Sequence, residues 1–197
     1  GRIFCVARTR SGGEIREVSP DGAAPRVVTG GVAGGIFAVS PDGRFVVFEA
    51  EEGGETRLVR VRASGGTPEP LTDYPAFAPS FSPDGTRLAF YYIDPATRRF
   101  RIGIAPASGG PPERSLEGEP PSAATRLRFR DEGLYVNTMP GDRANVWLLP
   151  LDGAPPRRIT DFDDFLVYGF DVSPDGKTLA YSRGPRTRDA VLLRGFR

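Results

Sequence analysis

Histidine does not occur in this chain of 197 residues, and cysteine occurs once. The first absence removes every Ser-His-Asp or Cys-His catalytic arrangement and every zinc site that needs imidazole. The second removes an internal disulfide and thiolate metal clusters. Cys5 itself lies in an apolar run, where a buried inert thiol is expected. No G-x-G and no G-x-S-x-G occurs, so a dinucleotide fingerprint, a kinase glycine-rich loop and a nucleophile elbow are all missing. Gly176-Lys177-Thr178 resembles the end of a phosphate-binding loop, but Asp171 stands where that loop needs glycine. No apolar run approaches the roughly 18 residues of a membrane span. With 26 Lys+Arg against 25 Asp+Glu, the chain has no charge excess to attract nucleic acid or an anionic membrane. No catalytic residue, cofactor or metal is expected from these residues.

Glycine and proline, by contrast, are abundant, at 25 and 20 residues. They fall regularly between short apolar runs, and the longest stretch without either is Arg157–Tyr168. A helix of ordinary length has almost nowhere to fit, so the chain reads as all-β with frequent turns.

The turns repeat. Ser40-Pro41-Asp42-Gly43 leads into RFVVFEA, Ser82-Pro83-Asp84-Gly85 into TRLAFYY, and Ser173-Pro174-Asp175-Gly176 into KTLAYSR. A worn copy, Arg130-Asp131-Glu132-Gly133, leads into LYVNTM. From glycine to glycine the steps are 42, 48 and 43 residues. Proline presets φ, aspartate caps nearby N–H groups and glycine takes the left-handed conformation. Asp42, Gly43, Asp84, Gly85, Asp175 and Gly176 are therefore structural turn residues. A second turn follows two strands later, in SGGTPEPLT, SGGPPERSL and LDGAPPRRIT. A unit of four strands in this length is the signature of a β-propeller blade.

A further SPDG, at 19–22, aligns differently. Gly22 and Gly153 each stand seven residues before a threonine, Thr29 and Thr160. That copy reads as a turn between third and fourth strands. The first blade then lacks its inner strand and the last lacks its outer one. The fold class is all-β, a propeller of four-stranded antiparallel blades forming an incomplete arc of about four and a half blades. Approximate blade limits are 1–33 (incomplete), 34–74, 75–122, 123–164 and 165–197 (incomplete). An imperfect closed ring of five blades is the alternative.

These motifs, SPDG followed by RLAF or TLAY, then an xxGG turn and PxxLT or RRIT, resemble the WD-like repeats of TolB-type propellers. The stretch DFDDFLVYGFDVSPDGKTLAYSRG, ending in DAVLL, resembles the closing blade of propellers carried C-terminally by bacterial serine/threonine protein kinases. The resemblance implies a six-bladed parent whose remaining blades lie upstream, a natural C-terminus near residue 197, and a periplasmic or extracytoplasmic location. It implies a binding, sensing or scaffold module with an unidentified protein or peptide partner. Related repeats also occur in prolyl-oligopeptidase-like and tricorn-like peptidases and in stand-alone TolB-like envelope proteins.

Asp161, Asp163 and Asp164 form the best acidic cluster, with Asp73 at the matching place elsewhere. They sit in a loop that enters an inner strand, at one mouth of the channel, and are the candidate binding loop. Glu49, Glu51 and Glu52 read as a solvated strand edge, and Arg98, Arg99, Arg101, Arg186 and Arg188 as surface charge. Trp147, Phe45, Phe48, Phe90, Tyr135 and Tyr181 are expected to pack between blades.

Overall fold

The structure is a computed structural model that describes residues 2–10, 12–118, 125–137, 145–163 and 166–185. Among these residues there are sixteen strands and no helix. They run β1 (Ile3–Thr9), β2 (Gly12–Val18), β3 (Arg26–Val39), β4 (Phe45–Glu52), β5 (Glu55–Arg62), β6 (Glu69–Pro70), β7 (Ala76–Phe81), β8 (Arg87–Ile93), β9 (Phe100–Pro106), β10 (Arg114–Glu117), β11 (Leu127–Arg130), β12 (Gly133–Val136), β13 (Trp147–Pro150), β14 (Arg157–Arg158), β15 (Leu166–Val172) and β16 (Leu179–Gly184). Strands β7–β10 and β11–β14 are four-stranded antiparallel meanders; β15 and β16 form a pair. The chain is a partial β-propeller. DAVLL, expected as a third strand of the last blade, lies outside the described residues.

The first six strands make one continuous sheet because β3, 14 residues long, serves two blades. Its N-terminal part pairs with β2 (Arg26↔Glu17, Val27↔Arg16) and its C-terminal part with β4 (Ala38↔Val47, Val39↔Val46). Val32 pairs with both Gly13 and Ala50. The sequence GGVAGG permits this bend. Gly31 has φ +74°, and a Cβ on Gly34 would come within 1.9 Å of Glu49 Oε2. The strand therefore runs unbroken across the point where the repeat pattern divides the first blade from the second.

Each blade packs its faces against its neighbours. Ile15, Val28 and Val32 meet Val46, Phe48 and Val61 between the first and second blades. Val47 and Leu58 meet Phe81, Leu88 and Phe90 between the second and third. Ala89, Tyr91 and Ile104 meet Leu127, Phe129 and Leu134 next, and Tyr135 and Leu148 meet Phe170 and Val172 last. Each fully buried large side chain contributes about 1.5–3 kcal/mol. The aromatic residues divide. Phe48, Phe90 and Tyr135 are buried in these seams and Trp147 is half-buried. Phe45 instead lies under the Arg60 and Arg62 guanidiniums, and Tyr181 is 48% exposed against Phe162. Cys5 is only half-buried, since β1 has no inner neighbour among the described residues.

The SPDG turns share one bonding scheme. Gly85 N–H donates to Ser82 O at 2.9 Å, and Gly85 has φ +73°. Ser82 Oγ donates to Asp84 Oδ1 at 2.6 Å and accepts from Arg87 N–H at 2.9 Å. The Ser40 and Ser173 turns repeat this with Asp42 and Asp175. The turn at 19–22 joins β2 to β3, with Gly22 N–H on Ser19 O at 3.2 Å and Ala23 N–H on Asp21. The worn copy is tighter: Arg130 pairs directly with Gly133 across a two-residue turn. A Cβ on Gly133 would lie 2.4 Å from Leu149 O, so glycine is kept there for space.

Serine is the hub of this turn, accepting a strand N–H that is part-buried at Ser40 and Ser82 and orienting the aspartate. Ser82→Ala should lower stability by about 1–2 kcal/mol in denaturant unfolding, because Arg87 N–H loses its acceptor. Ser19→Ala should change it much less. The bonds from Ser82 and Thr86 hold the Asp84 carboxyl down to about 2. Its stabilising contribution is complete above the unfolded range near pH 4 and disappears as pH falls towards 2. Asp84→Asn should lack that part of the acid-unfolding curve.

Candidate functional site

The inner strands converge on a cleft of about 400 Å³ at the end where the SPDG turns lie. Phe37, Ala38 and Val39 come from the second blade, Pro79–Ser82 from the third, Arg128 and Arg130 from the fourth, and Asp171 from the fifth. Pro41, Pro83 and Pro174 ring its mouth and are exposed. Proline at the turn thus has a second role: it presents a rigid apolar rim.

The polar groups of the cleft come from residues two before the turn serine, or at its place. Arg128 Nε donates to Asp171 Oδ1 at 2.9 Å, tying the fourth blade to the fifth. Arg130 Nη2 reaches the same oxygen at 3.3 Å, and Arg130 Nε donates to Val172 O at 3.0 Å. Arg130 thus stands where other blades have a turn serine and reaches across to the next blade's backbone. Ser80 Oγ accepts from Phe129 N–H at 3.0 Å, joining the third blade to the fourth. The wall therefore carries two guanidiniums, one carboxylate and a buried hydroxyl beside Phe37 and Phe81. Such a surface suits an extended chain with both polar and apolar groups.

At the other end of the inner strands a second polar layer lies deeper. Glu49 Oε1 accepts from Ala78 N–H at 2.9 Å, although Glu49 is only 7% exposed. Ala78 adopts φ +50° at a bulge between Phe77 and Ser80, which aims its N–H across the seam. Asn137 stands at the same place in its strand. It donates from Nδ2 to Val167 O at 3.0 Å and accepts from Arg126 N–H at 2.8 Å. Burial pushes the Glu49 carboxyl above its ordinary range, opposed by the Ala78 bond and the Arg126 charge. Burial likewise lowers Arg126.

The acidic loop is described in part. Asp161 and Asp163 are exposed, and Asp161 pairs with Arg158. Asp164 lies outside the described residues. Asp73 is exposed at the corresponding loop of the second blade. Among the described residues, no three His, Cys, Asp or Glu side chains gather as a metal site. Arg186 and Arg188 also lie outside the described residues, whereas Arg101 pairs with Asp94 at 3.4 Å.

Glu49 corrects the reading of residues 49–52 as a solvated edge, which holds for Glu51 and Glu52. Its position shares a strand face with buried Val47, and aligning the repeat places it with Tyr91 and Asn137, both buried. Arg128, Arg130 and Asp171 were hidden within runs read as apolar. Their signal is the alternation Arg126-Leu127-Arg128-Phe129-Arg130, with arginine on one face of a strand and apolar residues on the other.

No family model matches the chain. An uncharacterised protein of Agrobacterium fabrum is 26% identical over 147 residues, which cover 73% of this chain and 48% of that protein. The chain thus spans about half the length of the curated relative it matches. Among solved structures, a TolB from Acinetobacter baumannii superposes with a TM-score of 0.76 at 21% identity, covering 96% of this chain and 48% of that one. A structure described as a TolB from Agrobacterium tumefaciens gives 0.73 at 19%, covering 92% and 66%. An oligogalacturonate lyase from Vibrio parahaemolyticus gives 0.62 at 14%, covering 93% and 55%. The shared feature is the propeller fold.

The buried Glu49 makes a clear pH-dependent prediction. A carboxyl raised by folding is tolerated when protonated and becomes a burden as pH rises through its folded value. Glu49→Gln keeps an acceptor without the charge, so its Tm should exceed that of the wild type at pH 8. The gap should close as pH falls below the ordinary glutamate range, near 4. Glu49→Ala strands the Ala78 N–H and should cost about 1–3 kcal/mol. A Gln variant less stable than the wild type at every pH would contradict this account.

Proposed function

We propose that this chain is a non-catalytic binding or sensing module, and that its axial cleft holds an extended segment of a protein or peptide partner. The observation that carries this reading is the composition of the cleft wall. Four blades each contribute an inner strand, and the wall mixes a guanidinium–carboxylate pair with Phe37, Phe81 and a proline rim. Backbone and side chains of a peptide would find donors, acceptors and apolar contacts there without any reactive group. The lack of histidine and the single cysteine agree with this.

The module belongs, in this proposal, to a larger bacterial protein and works outside the cytoplasm. A membrane serine/threonine kinase with a C-terminal propeller sensor is the parent suggested by the closing repeat. A stand-alone TolB-like envelope protein is the second reading, supported by the two TolB structures that share the fold. A fold shared also with an oligogalacturonate lyase makes activity worth testing directly.

The test exchanges the charge pair of the cleft. In the double variant Arg128→Asp, Asp171→Arg the ion pair is kept but its polarity is reversed. Peptides selected from a random display library on the wild-type chain should bind the variant at least tenfold more weakly, about 1.4 kcal/mol. The Tm should fall modestly, because Arg130 loses its 3.3 Å contact to the carboxylate at 171. Equal binding to both proteins would remove the cleft as the site. Turnover of oligogalacturonate by the purified chain would overturn the non-catalytic reading.

A further inference from the structure

Aspartate followed by glycine occurs five times in the chain, at residues 21, 42, 84, 152 and 175. This pair carries a chemistry of its own. The glycine nitrogen is one ring closure away from the aspartate Cγ, and glycine has no side chain to obstruct the approach. Four of the five aspartates have serine two residues earlier, whereas Asp152 has Pro150 there.

The serine decides how firmly each carboxyl is held. Ser40, Ser82 and Ser173 Oγ donate to Oδ1 of Asp42, Asp84 and Asp175 at 2.5, 2.6 and 2.5 Å. The same oxygens accept from Arg44, Thr86 and Lys177 N–H at 3.0, 3.0 and 3.2 Å. Gly43, Gly85 and Gly176 N–H are engaged as well, on the serine carbonyls at 2.8, 2.9 and 2.9 Å. The serine hydroxyl, and then the N–H two residues on, hold Asp21, Asp42, Asp84 and Asp175 below the ordinary carboxyl range. Asp152 has less. Among the described residues its Oδ1 accepts only from Ala154 N–H, at 2.9 Å. At the matching turns of the second and third blades, Gly65 and Gly109 N–H donate to Arg62 O and Pro106 O at 2.8 and 3.0 Å; Gly153 N–H makes no such bond to Pro150 O. Packing differs too. A Cβ on Gly85 would lie 3.2 Å from Pro41 and one on Gly176 2.9 Å from Glu132, whereas nothing stands within 4 Å at Gly153. Residues 152–158 are all exposed.

We propose that Asp152 is a site of spontaneous backbone modification, converting to isoaspartate in the folded protein, while the serine-held turns keep the other four aspartates from this reaction. The Gly153 nitrogen bonds to Cγ of the protonated Asp152 carboxyl, and the carboxyl hydroxyl leaves with the amide proton as water. Water then adds to the main-chain carbonyl carbon of the resulting succinimide, and the bond from that carbon to nitrogen breaks. The chain now runs through Cβ, with a carboxylate on Cα. One water is released and one taken up, so no oxidant or cofactor is needed. In the other turns an ionised carboxyl is a poor electrophile, and a glycine N–H bonded backwards is not free to swing towards Cγ. The product matters for the fold because Leu151 O, one residue away, accepts from Arg114 Nη1 of the third blade. A main chain lengthened by one methylene at 152 shifts that carbonyl and loosens a tie between the third and fourth blades. Asp152 lies outside the axial cleft, so the site is independent of the binding reading.

The test ages the full chain, held warm at pH 6 for several weeks, and counts isoaspartate by electron-transfer fragmentation of its tryptic peptides. Each of the five Asp-Gly pairs falls on a separate tryptic peptide, so the sites are read independently. A parallel sample in concentrated urea gives the rate of each pair without the fold. Asp152 should react in the folded chain nearly as fast as in urea, and the other four at least tenfold more slowly than in urea. Pro150→Ser supplies the missing hydroxyl and should slow Asp152 severalfold. Ser40→Ala should speed Asp42 by a similar factor, with its thermal unfolding curve showing that the chain is still folded. Aged wild-type protein should also melt at a lower Tm in proportion to its isoaspartate at 152. Protection of Asp152 equal to that of Asp42, Asp84 and Asp175, or isoaspartate appearing first at one of those three, would overturn the proposal. Unchanged rates at residue 152 in Pro150→Ser and at residue 42 in folded Ser40→Ala would overturn the role given to serine.

Discussion

Every complete sheet in this protein is apolar on both faces, and a sheet of that kind is stable only between two others. Val46 and Phe48 point to one neighbour while Val47 points to the other, along a single strand. Stacked twisted sheets meet at an angle, and that angle, repeated from blade to blade, brings the inner strands around one axis. The cleft is therefore a consequence of packing before it is a feature of binding. Side chains at its wall are free to be polar because the seams, and not the axis, carry the core.

The polar ties near the axis follow from the same geometry. Inner strands run close together, and at their bulged ends some backbone groups have no partner within their own sheet. Glu49 supplies one acceptor, Ser80 another and Asn137 a donor, each to the blade that follows. A buried carboxylate is tolerated at Glu49 because an N–H and the Arg126 charge meet it. Where the fourth blade lost its turn serine, Arg130 reaches the next blade's backbone directly. A worn repeat has gained a cross-blade contact in exchange for a local turn.

The architecture was legible in the sequence because turns are local. Ser-Pro-Asp-Gly declares its hairpin through residues that bond one another, and its half-period copy at 19–22 declared the order of strands. The cleft was not legible in that way. Ser80 and Phe129 are 49 residues apart in the chain, and Arg128 and Asp171 are 43 apart. Nothing between them signals that they touch. The acidic loop at Asp161 and Asp163 drew notice because like charges cluster in sequence, whereas the cleft's charges are gathered only by curvature. Glu49 was misread because two neighbouring acids, Glu51 and Glu52, are solvated: they lie nearer the β4–β5 turn, whereas Glu49 is still covered by the next blade. The continuous course of β3 was hidden by four glycines that read as a break.

That shared strand also sets how the chain answers to tension. β1 and β2 form a hairpin, and a load that drew β1 sideways from β2 would open their ladder bond by bond. β3 is tied to β2 over its N-terminal part and to β4 over its C-terminal part, with Val32 paired to both. A load passing along β3 would act parallel to its own axis, and many hydrogen bonds would have to fail together. The first blade can thus be peeled gently while its junction to the second resists in shear. A ring built from such junctions would yield at its hairpins and hold at its joints, which is the behaviour of a chain of links rather than of a stack.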